Sequence, residues 1–186
     1  MRIIAGSARG RTFDAPKGTD TRPTLDRVKE AMFGMLQFEI PGADVLDLFS
    51  GSGNLGLEAL SRGARSAVLN DASHGCVQII RRNVEKLGFG GRTVITELDY
   101  AACIERMRRE GRSFRFAFLD APYADGTAAK AAVGLIEGGL IEPGGRILLE
   151  HAYAMPPELP ETVAVIEKTR KYGICAFSVI READSR

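Results

Sequence analysis

Asp120-Ala121-Pro122-Tyr123 places a carboxylate, a main-chain carbonyl next to a proline and an aromatic ring in one short stretch. It follows the apolar run Phe116-Ala117-Phe118-Leu119, which reads as a buried strand. The C-terminal end of a strand in an open α/β sheet is where ligands bind. A planar NH2 group has two hydrogens to give, and its ring needs a surface to stack on. The Asp120 carboxylate and the Ala121 carbonyl supply the two acceptors and Tyr123 the ring. An aromatic amine is a weak nucleophile because its lone pair is delocalised into the ring. Two acceptors on its hydrogens favour a pyramidal nitrogen and fix its direction. Catalysis of this kind is positioning and electrostatics, with no covalent intermediate.

A glycine loop stands about seventy residues upstream. Asp47-Leu48-Phe49-Ser50-Gly51-Ser52-Gly53-Asn54-Leu55-Gly56 runs from a strand into a helix, with Gly51, Gly53 and Gly56 in G-x-G-x-x-G spacing. Such glycines allow positive φ and close approach of the backbone to a ligand. Phe49, Ser50 and Ser52 complete the loop. The pattern alone also fits a dinucleotide, and a nicotinamide oxidoreductase is the competing reading. Asp47 argues against it, because a carboxylate beside the loop repels a pyrophosphate. The same charge suits an ammonium, such as the methionine end of S-adenosylmethionine. Asp71 ends the next strand, about twenty residues after the glycines, where an acidic side chain accepts from ribose hydroxyls. Asp99 follows the third strand, and its two readings are an acceptor for an adenine amino group and a helix N-cap. Loop and tetrad together imply methyl transfer to an exocyclic amine.

The elements that position these residues follow from periodicity. The first twenty or so residues are rich in Gly and Arg and read as a small hairpin or arm. Thr24 is the expected N-cap of a helix with Val28, Met32, Met35 and Leu36 on one face, ended by Pro41-Gly42. Strands are expected at 44–49, 66–70, 93–97, 115–119 and 146–150, with helices at 55–62, 73–87, 101–109 and 128–136 between them. That alternation implies a parallel sheet with helices on both faces. Two more strands, 162–169 and 174–181, should close the chain around a turn at Arg170-Lys171-Tyr172-Gly173. One domain over residues 1–186 is expected: a basic arm and helix over 1–40 and a Rossmann-like core over 43–186.

Composition narrows the class. Hydrophobic residues make up 45% and charged residues 26%, as in a soluble globular protein, and no apolar run reaches membrane-spanning length. The N-terminus lacks the apolar stretch of a signal peptide. Three separated cysteines, Cys76, Cys103 and Cys175, give neither a disulfide framework nor a metal site, so no metal and a cytoplasmic setting are expected. Net charge is +1, but residues 1–30 hold seven basic and four acidic residues. Arg2, Arg9, Arg11, Arg22 and Arg27 belong to that excess and are candidates for phosphate contacts. His74 is read as a surface residue at a helix start, and His151 as facing the ligand edge.

Several stretches together resemble the RsmD family of bacterial ribosomal RNA methyltransferases. Arg2-Ile3-Ile4-Ala5-Gly6 with Arg9-Gly10-Arg11 is similar to the family's opening, and residues 21–33 to its first helix. Residues 47–64 are similar to its cofactor loop and following helix, Asn83 with Leu87-Gly88 to the next helix, and Lys171-Tyr172-Gly173 to its last hairpin. The resemblance implies a class I methyltransferase fold: an α/β, seven-stranded, mostly parallel sheet with an antiparallel last strand. It implies S-adenosylmethionine as methyl donor and the N2 amine of guanine 966 in 16S ribosomal RNA as acceptor. It further implies a substrate within the small ribosomal subunit or its assembly intermediate, and a monomer is expected. The tetrad by itself is shared with amino-methyltransferases of DNA, RNA and protein glutamine, and a non-catalytic RNA-binding assembly factor is a further alternative. The chain departs from the family at two places. It has Ala121 where the family carries Asp-Pro-Pro-Tyr or Asp-Pro-Pro-Phe, and Asp71 where the family usually carries Glu. The first change keeps the main-chain carbonyl but gives up some rigidity.

Overall fold

A computed structural model describes residues 1–16, 23–121 and 126–184, the side chains of 23–25 excepted. Pro122 and Tyr123 of the tetrad, and Arg22, lie outside the described residues.

Helix α1 spans Pro23–Met35. Its first residue is the proline, whose fixed φ and missing N–H suit a first turn, so Thr24 lies inside the helix and is not its N-cap. Val28, Met32 and Leu36 are buried as the helical spacing requires, and Met35 is half-buried. Strands and helices then alternate: β1 Asp44–Asp47, α2 Asn54–Ser61, β2 Ser66–Asn70, α3 His74–Leu87, β3 Thr93–Thr96, α4 Tyr100–Arg109, β4 Phe114–Leu119, α5 Thr127–Glu137 and β5 Ile141–Ala152. Helix α3 starts after Ser73 and stops at Gly88, which takes the left-handed conformation common at helix ends. The chain ends in β6 Ala164–Tyr172 and β7 Cys175–Glu182. Strand β6 runs through Arg170-Lys171-Tyr172, so the turn is shorter and later than the sequence suggests. Strand β5 also starts earlier than expected. Ile141 pairs with Phe114, the register slips, and pairing resumes at Phe116 with Arg146, so the Gly144-Gly145 segment is a bulge inside a strand.

The seven strands lie in the order β3-β2-β1-β4-β5-β7-β6. The first five are parallel, and β7 is antiparallel to both β5 and β6. Alternate side chains feed two cores. Phe116, Phe118 and Leu148 pack on one face with Val28 and Met32 of α1, Leu57 and Leu60 of α2, and Ile80 and Val84 of α3. Ala117, Leu119 and Leu149 pack on the other with Cys103 and Met107 of α4 and Leu135 and Ile136 of α5. With both faces covered, the middle residues of the central strands are apolar, as Val45-Leu46 and Phe116–Leu119 show. No helix among the described residues is long and apolar enough to cross a membrane.

The N-terminal segment is a small hairpin, with Arg2 bridged to Thr12 and Ile3 N–H donating to the Arg11 carbonyl at 3.0 Å. It is bolted to the core by buried polar groups. Glu58 of α2 accepts from Ile4 N–H at 2.9 Å and Ala5 N–H at 3.0 Å. The same carboxylate takes Arg62 Nε at 2.8 Å and lies 3.4 Å from the Lys29 ammonium of α1. Lys29 Nζ also donates to the Arg2 carbonyl at 2.9 Å and Asn54 Oδ1 at 2.8 Å, so its three protons have three acceptors.

Candidate functional site

The strand register decides which carboxylates meet. Asp47 of β1 is paired with Phe118 of β4, so Asp120, two residues on, projects from the same face one step beyond the strand. Leu119 of β4 is paired with Leu149 of β5, which sets Glu150 beside Asp120 on that face. Three carboxylates therefore converge at the C-terminal edge of adjacent strands. Asp120 itself is exposed, whereas Asp47 and Glu150 are buried. Dense protein around the cleft floor, then the Glu150 charge and then that of Asp47, push the Asp120 carboxyl up to about 8. Its contact with solvent screens part of that repulsion, but the direction is upward on all three counts. The Ala121 methyl is buried at the same strand end.

The glycine loop folds over Asp47. Its Oδ2 accepts from Gly56 N–H at 2.8 Å, and Ser50 Oγ donates to the Asp47 carbonyl at 2.8 Å. Burial pushes the Asp47 carboxyl up to about 7 despite those bonds. Gly56 must be glycine for packing: a Cβ there would sit 2.1 Å from Leu69 Cδ2. Gly51 must be glycine for conformation, with φ +56 and nothing within 4 Å of a Cβ. The space above Gly51 is thus left open by the protein, as a ligand-approach position requires. Gly53 caps α2 in the left-handed region with φ 84.

Asp71 anchors the loop from the neighbouring strand, accepting from Gly51 N–H and from Ser73 N–H, each at 2.8 Å. The Cys76 thiol also hydrogen-bonds to it, and a carboxylate with roughly four lone-pair positions still has acceptor capacity to spare. Asp99 caps α4, accepting from Ala101 and Ala102 N–H at 3.0 Å each, so the N-cap reading is realised; the residue stays exposed at the edge. Phe49 is half-buried, its ring 6.0 Å from Tyr100. Ser52 Oγ donates to Met1 Sδ at 3.1 Å, and the Ser52 carbonyl accepts from Asn83 Nδ2 at 2.9 Å. Asn83 also holds the Asp14 carbonyl at 3.0 Å, which ties the arm to the loop.

The structure separates the basic residues of the arm. Arg2 pairs with Asp26 at 3.2 Å. Arg11 donates to the Leu87 carbonyl at 3.1 Å and to that of Lys86, and so satisfies the C-terminal end of α3. Arg27 is exposed on α1 and Arg9 on the hairpin. His74 is exposed and lies 3.0 Å from Glu97, as a surface residue should. His151 is buried, with its ring nitrogens against the Ala152 carbonyl at 2.8 Å and Ser178 Oγ at 3.0 Å. It lies on the opposite face from Asp120, because Glu150 intervenes.

Sequence reasoning passed over Glu150 and Asn70. Glu150 carried the same signal as Asp120, an acidic residue closing an apolar strand. Asn70 Nδ2 donates to the carbonyls of Leu48 and Leu98 at 3.0 Å each, holding the ends of β1 and β3 together. Beside Ala121 and Glu150 a cavity of about 830 Å³ opens between α5, the end of β5 and the Met155–Pro160 loop. It is lined by α5, Leu149 and His151, which lie on the sheet face opposite to Asp120, and its size falls within the usual range of ligand sites. Among the described residues no group of His, Cys, Asp and Glu could hold a metal ion.

Known proteins are similar to this chain in sequence and fold. The family described as conserved hypothetical protein 95 matches residues 1–181. Ribosomal RNA small subunit methyltransferase D of Escherichia coli K12 is 33% identical over 150 residues, covering 81% of this chain and 74% of that protein. The protein of the same name from Haemophilus influenzae is 30% identical over 177 residues, covering 95% and 91%. Among solved structures, that of yhhF from Escherichia coli, described as a methyltransferase, superposes with a TM-score of 0.85 at 27% identity and covers 100% of this chain and 99% of its own. The chain belongs to the RsmD family of S-adenosylmethionine-dependent ribosomal RNA small subunit methyltransferases.

Proposed function

We propose that this protein transfers a methyl group from S-adenosylmethionine to the exocyclic N2 amine of a guanine in 16S ribosomal RNA, the position equivalent to guanine 966. The observation that carries the reading is the strand register, which sets Asp120 on the same face and edge as Asp47 and the glycine loop. The residues fit the cofactor. The open space over Gly51 admits it, Asp71 has acceptor capacity for ribose hydroxyls, and Asp99 stays exposed at the third strand for the adenine. Asp47 lies beneath the loop, so its part is to hold Gly56 and to add negative potential for the ammonium group. When bound, S-adenosylmethionine supplies an electrophilic methyl group.

Asp120 and the Ala121 carbonyl each accept one hydrogen of the guanine amine, which turns its lone pair toward the methyl carbon. Tyr123 stacks on the base. S-adenosylmethionine held by the glycine loop and Asp71 would give up that methyl group with its sulfur as the leaving group. The proton shed by the substituted amine passes to the Asp120 carboxylate, whose raised affinity near neutral pH suits it as acceptor. A guanine inside a folded RNA must be turned out of its stack to reach this edge. Arg9 and Arg27, exposed on the hairpin and α1, are the cations assigned to phosphates in this reading, together with Arg22 by its sequence alone, while Arg2 and Arg11 hold the arm.

Tritium transfer from labelled cofactor tests this. Small-subunit particles from a strain lacking the gene should accept label, while DNA and protein should not. Label entering DNA or protein, with none in the particles, would reject the substrate assignment.

A further inference from the structure

Strand β6 is the outermost strand of the sheet. It is antiparallel to β7, which is antiparallel to β5, so β6 runs parallel to β5. Its C-terminal end therefore reaches the same edge as Glu150 and Asp120. Lys168, Arg170 and Lys171 are exposed along it, and none forms an ion pair among the described residues. The acidic residue of that strand, Glu167, is engaged by Arg146 at 3.3 Å and Arg181 at 3.4 Å, so it does not cancel them. At the edge, Lys171 Nζ stands 3.9 Å from the centroid of the Tyr153 ring. Tyr153 is 47% exposed and its N–H ties the end of β5 to the hairpin through the Ile174 carbonyl at 2.8 Å. Ile174 is 80% and Met155 56% exposed beside it.

The arm offers less. Two of its arginines are committed to Asp26 and to the end of α3, whereas the cations of β6 have no acidic partner among the described residues. Lysines on an edge strand also discourage pairing with another sheet. That explains charge along β6, but not an exposed tyrosine, isoleucine and methionine gathered where the strand meets the reaction edge.

We propose that the β6–β7 hairpin end and Tyr153 form an RNA-binding platform, with Lys168, Arg170 and Lys171 on backbone phosphates and the Tyr153 ring stacked on an unpaired base next to the target. Unpaired cations at one edge neutralise phosphates, and an exposed ring beside them gives a base a stacking face. The inference rests on RNA being the substrate of the Asp120 site.

The probe is a fluorescein-labelled stem–loop RNA with unpaired loop bases, followed by anisotropy at several salt concentrations. Each phosphate contact to a single strand contributes about 0.7 to the salt slope. The K168Q/R170Q/K171Q protein should therefore bind more weakly with a slope reduced by about 2. Tyr153→Ala should lose about tenfold in affinity with the slope unchanged, and Tyr153→Phe should restore it. Binding of S-adenosylhomocysteine, measured by calorimetry, should be unchanged in all three. Unaltered affinity and slope in both the triple variant and Tyr153→Ala would overturn the platform and leave edge protection or a protein partner as the role of these residues. The two readings fail separately: Asp120→Ala should keep RNA affinity while losing methyl transfer, whereas a wild-type protein that binds no RNA would overturn both.

Discussion

The buried cluster under the glycine loop yields an ordered pair of stability changes. The Lys29 and Glu58 side chains are 2% and 0% exposed and 3.4 Å apart. Burial pushes the Lys29 pKa down, and Glu58 opposes that shift, so the ammonium is held at a desolvation cost. Breaking a buried ion pair costs about 3–5 kcal/mol when it strands a charge. Lys29→Met does not strand Glu58, which keeps Arg62 at 2.8 Å and two backbone donors from the arm. Its cost should fall to about 2–3 kcal/mol. Glu58→Ala strands the Lys29 ammonium and also leaves Ile4 and Ala5 N–H without acceptors, each worth about 1–3 kcal/mol, so its cost should reach about 5 kcal/mol. At about 2–4 °C per kcal/mol for a chain this long, Tm should drop by about 4–12 °C and about 10–20 °C respectively. Scanning calorimetry measures both. A Lys29→Met protein melting as low as Glu58→Ala, or two variants within about 2 °C of wild type, would refute the assignment of Glu58 as the hub.

Three further outcomes follow from the site. Because Asp120 must be ionised to accept from the amine and its carboxyl lies at about 8, kcat/KM should rise with pH up to that value and level off above it, and Asp120→Asn should flatten the profile; a flat wild-type profile would count against the role. Asp47 binds its proton more tightly folded than unfolded, at about 7 against 3.8, so its contribution to stability is full below the lower value and is lost as pH rises through the upper one. Urea midpoints should therefore fall between about pH 4 and about pH 7 in wild type and fall less in Asp47→Asn, and equal slopes would contradict the shift. Asp71→Ala should weaken S-adenosylhomocysteine binding by about 10- to 100-fold, the worth of a hydrogen bond to a charged acceptor, while Asp71→Glu retains most of it; calorimetric titration decides.

The parts of this molecule that sequence could disclose are those written in local patterns. The run Phe116–Leu119 alternates between two cores and ends in Asp120, so an apolar stretch closed by a carboxylate was enough to find the strand and the edge at which Asp120 stands. Gly88 marks a helix end by its own backbone chemistry, whereas the expected cap at Thr24 gave way to Pro23 as the first residue of α1. What stayed hidden depends on partners far along the chain. Arg11 reads as a free cation, yet its acceptors are the Leu87 and Lys86 carbonyls, which only the folded hairpin brings near. Glu58 looks like a surface residue of a helix until the arm is laid over it. Gly144-Gly145 reads as a turn because nothing local shows that Ile141 has already joined β4. Glu150 carries the same local signal as Asp120, but that the two stand side by side follows only from the register of β4 and β5.

The central claim is that Asp120 directs methyl transfer to a guanine N2 of 16S ribosomal RNA. Mass mapping of 16S RNA tests it in a strain lacking the gene, complemented with either the wild-type or the Asp120→Ala protein. The fragment carrying guanine 966 should be one methyl group lighter in the deletion strain, be restored by the wild-type protein, and stay unmethylated with Asp120→Ala although that variant still binds S-adenosylhomocysteine. A fragment of unchanged mass in the deletion strain, or one restored by Asp120→Ala, would contradict the account.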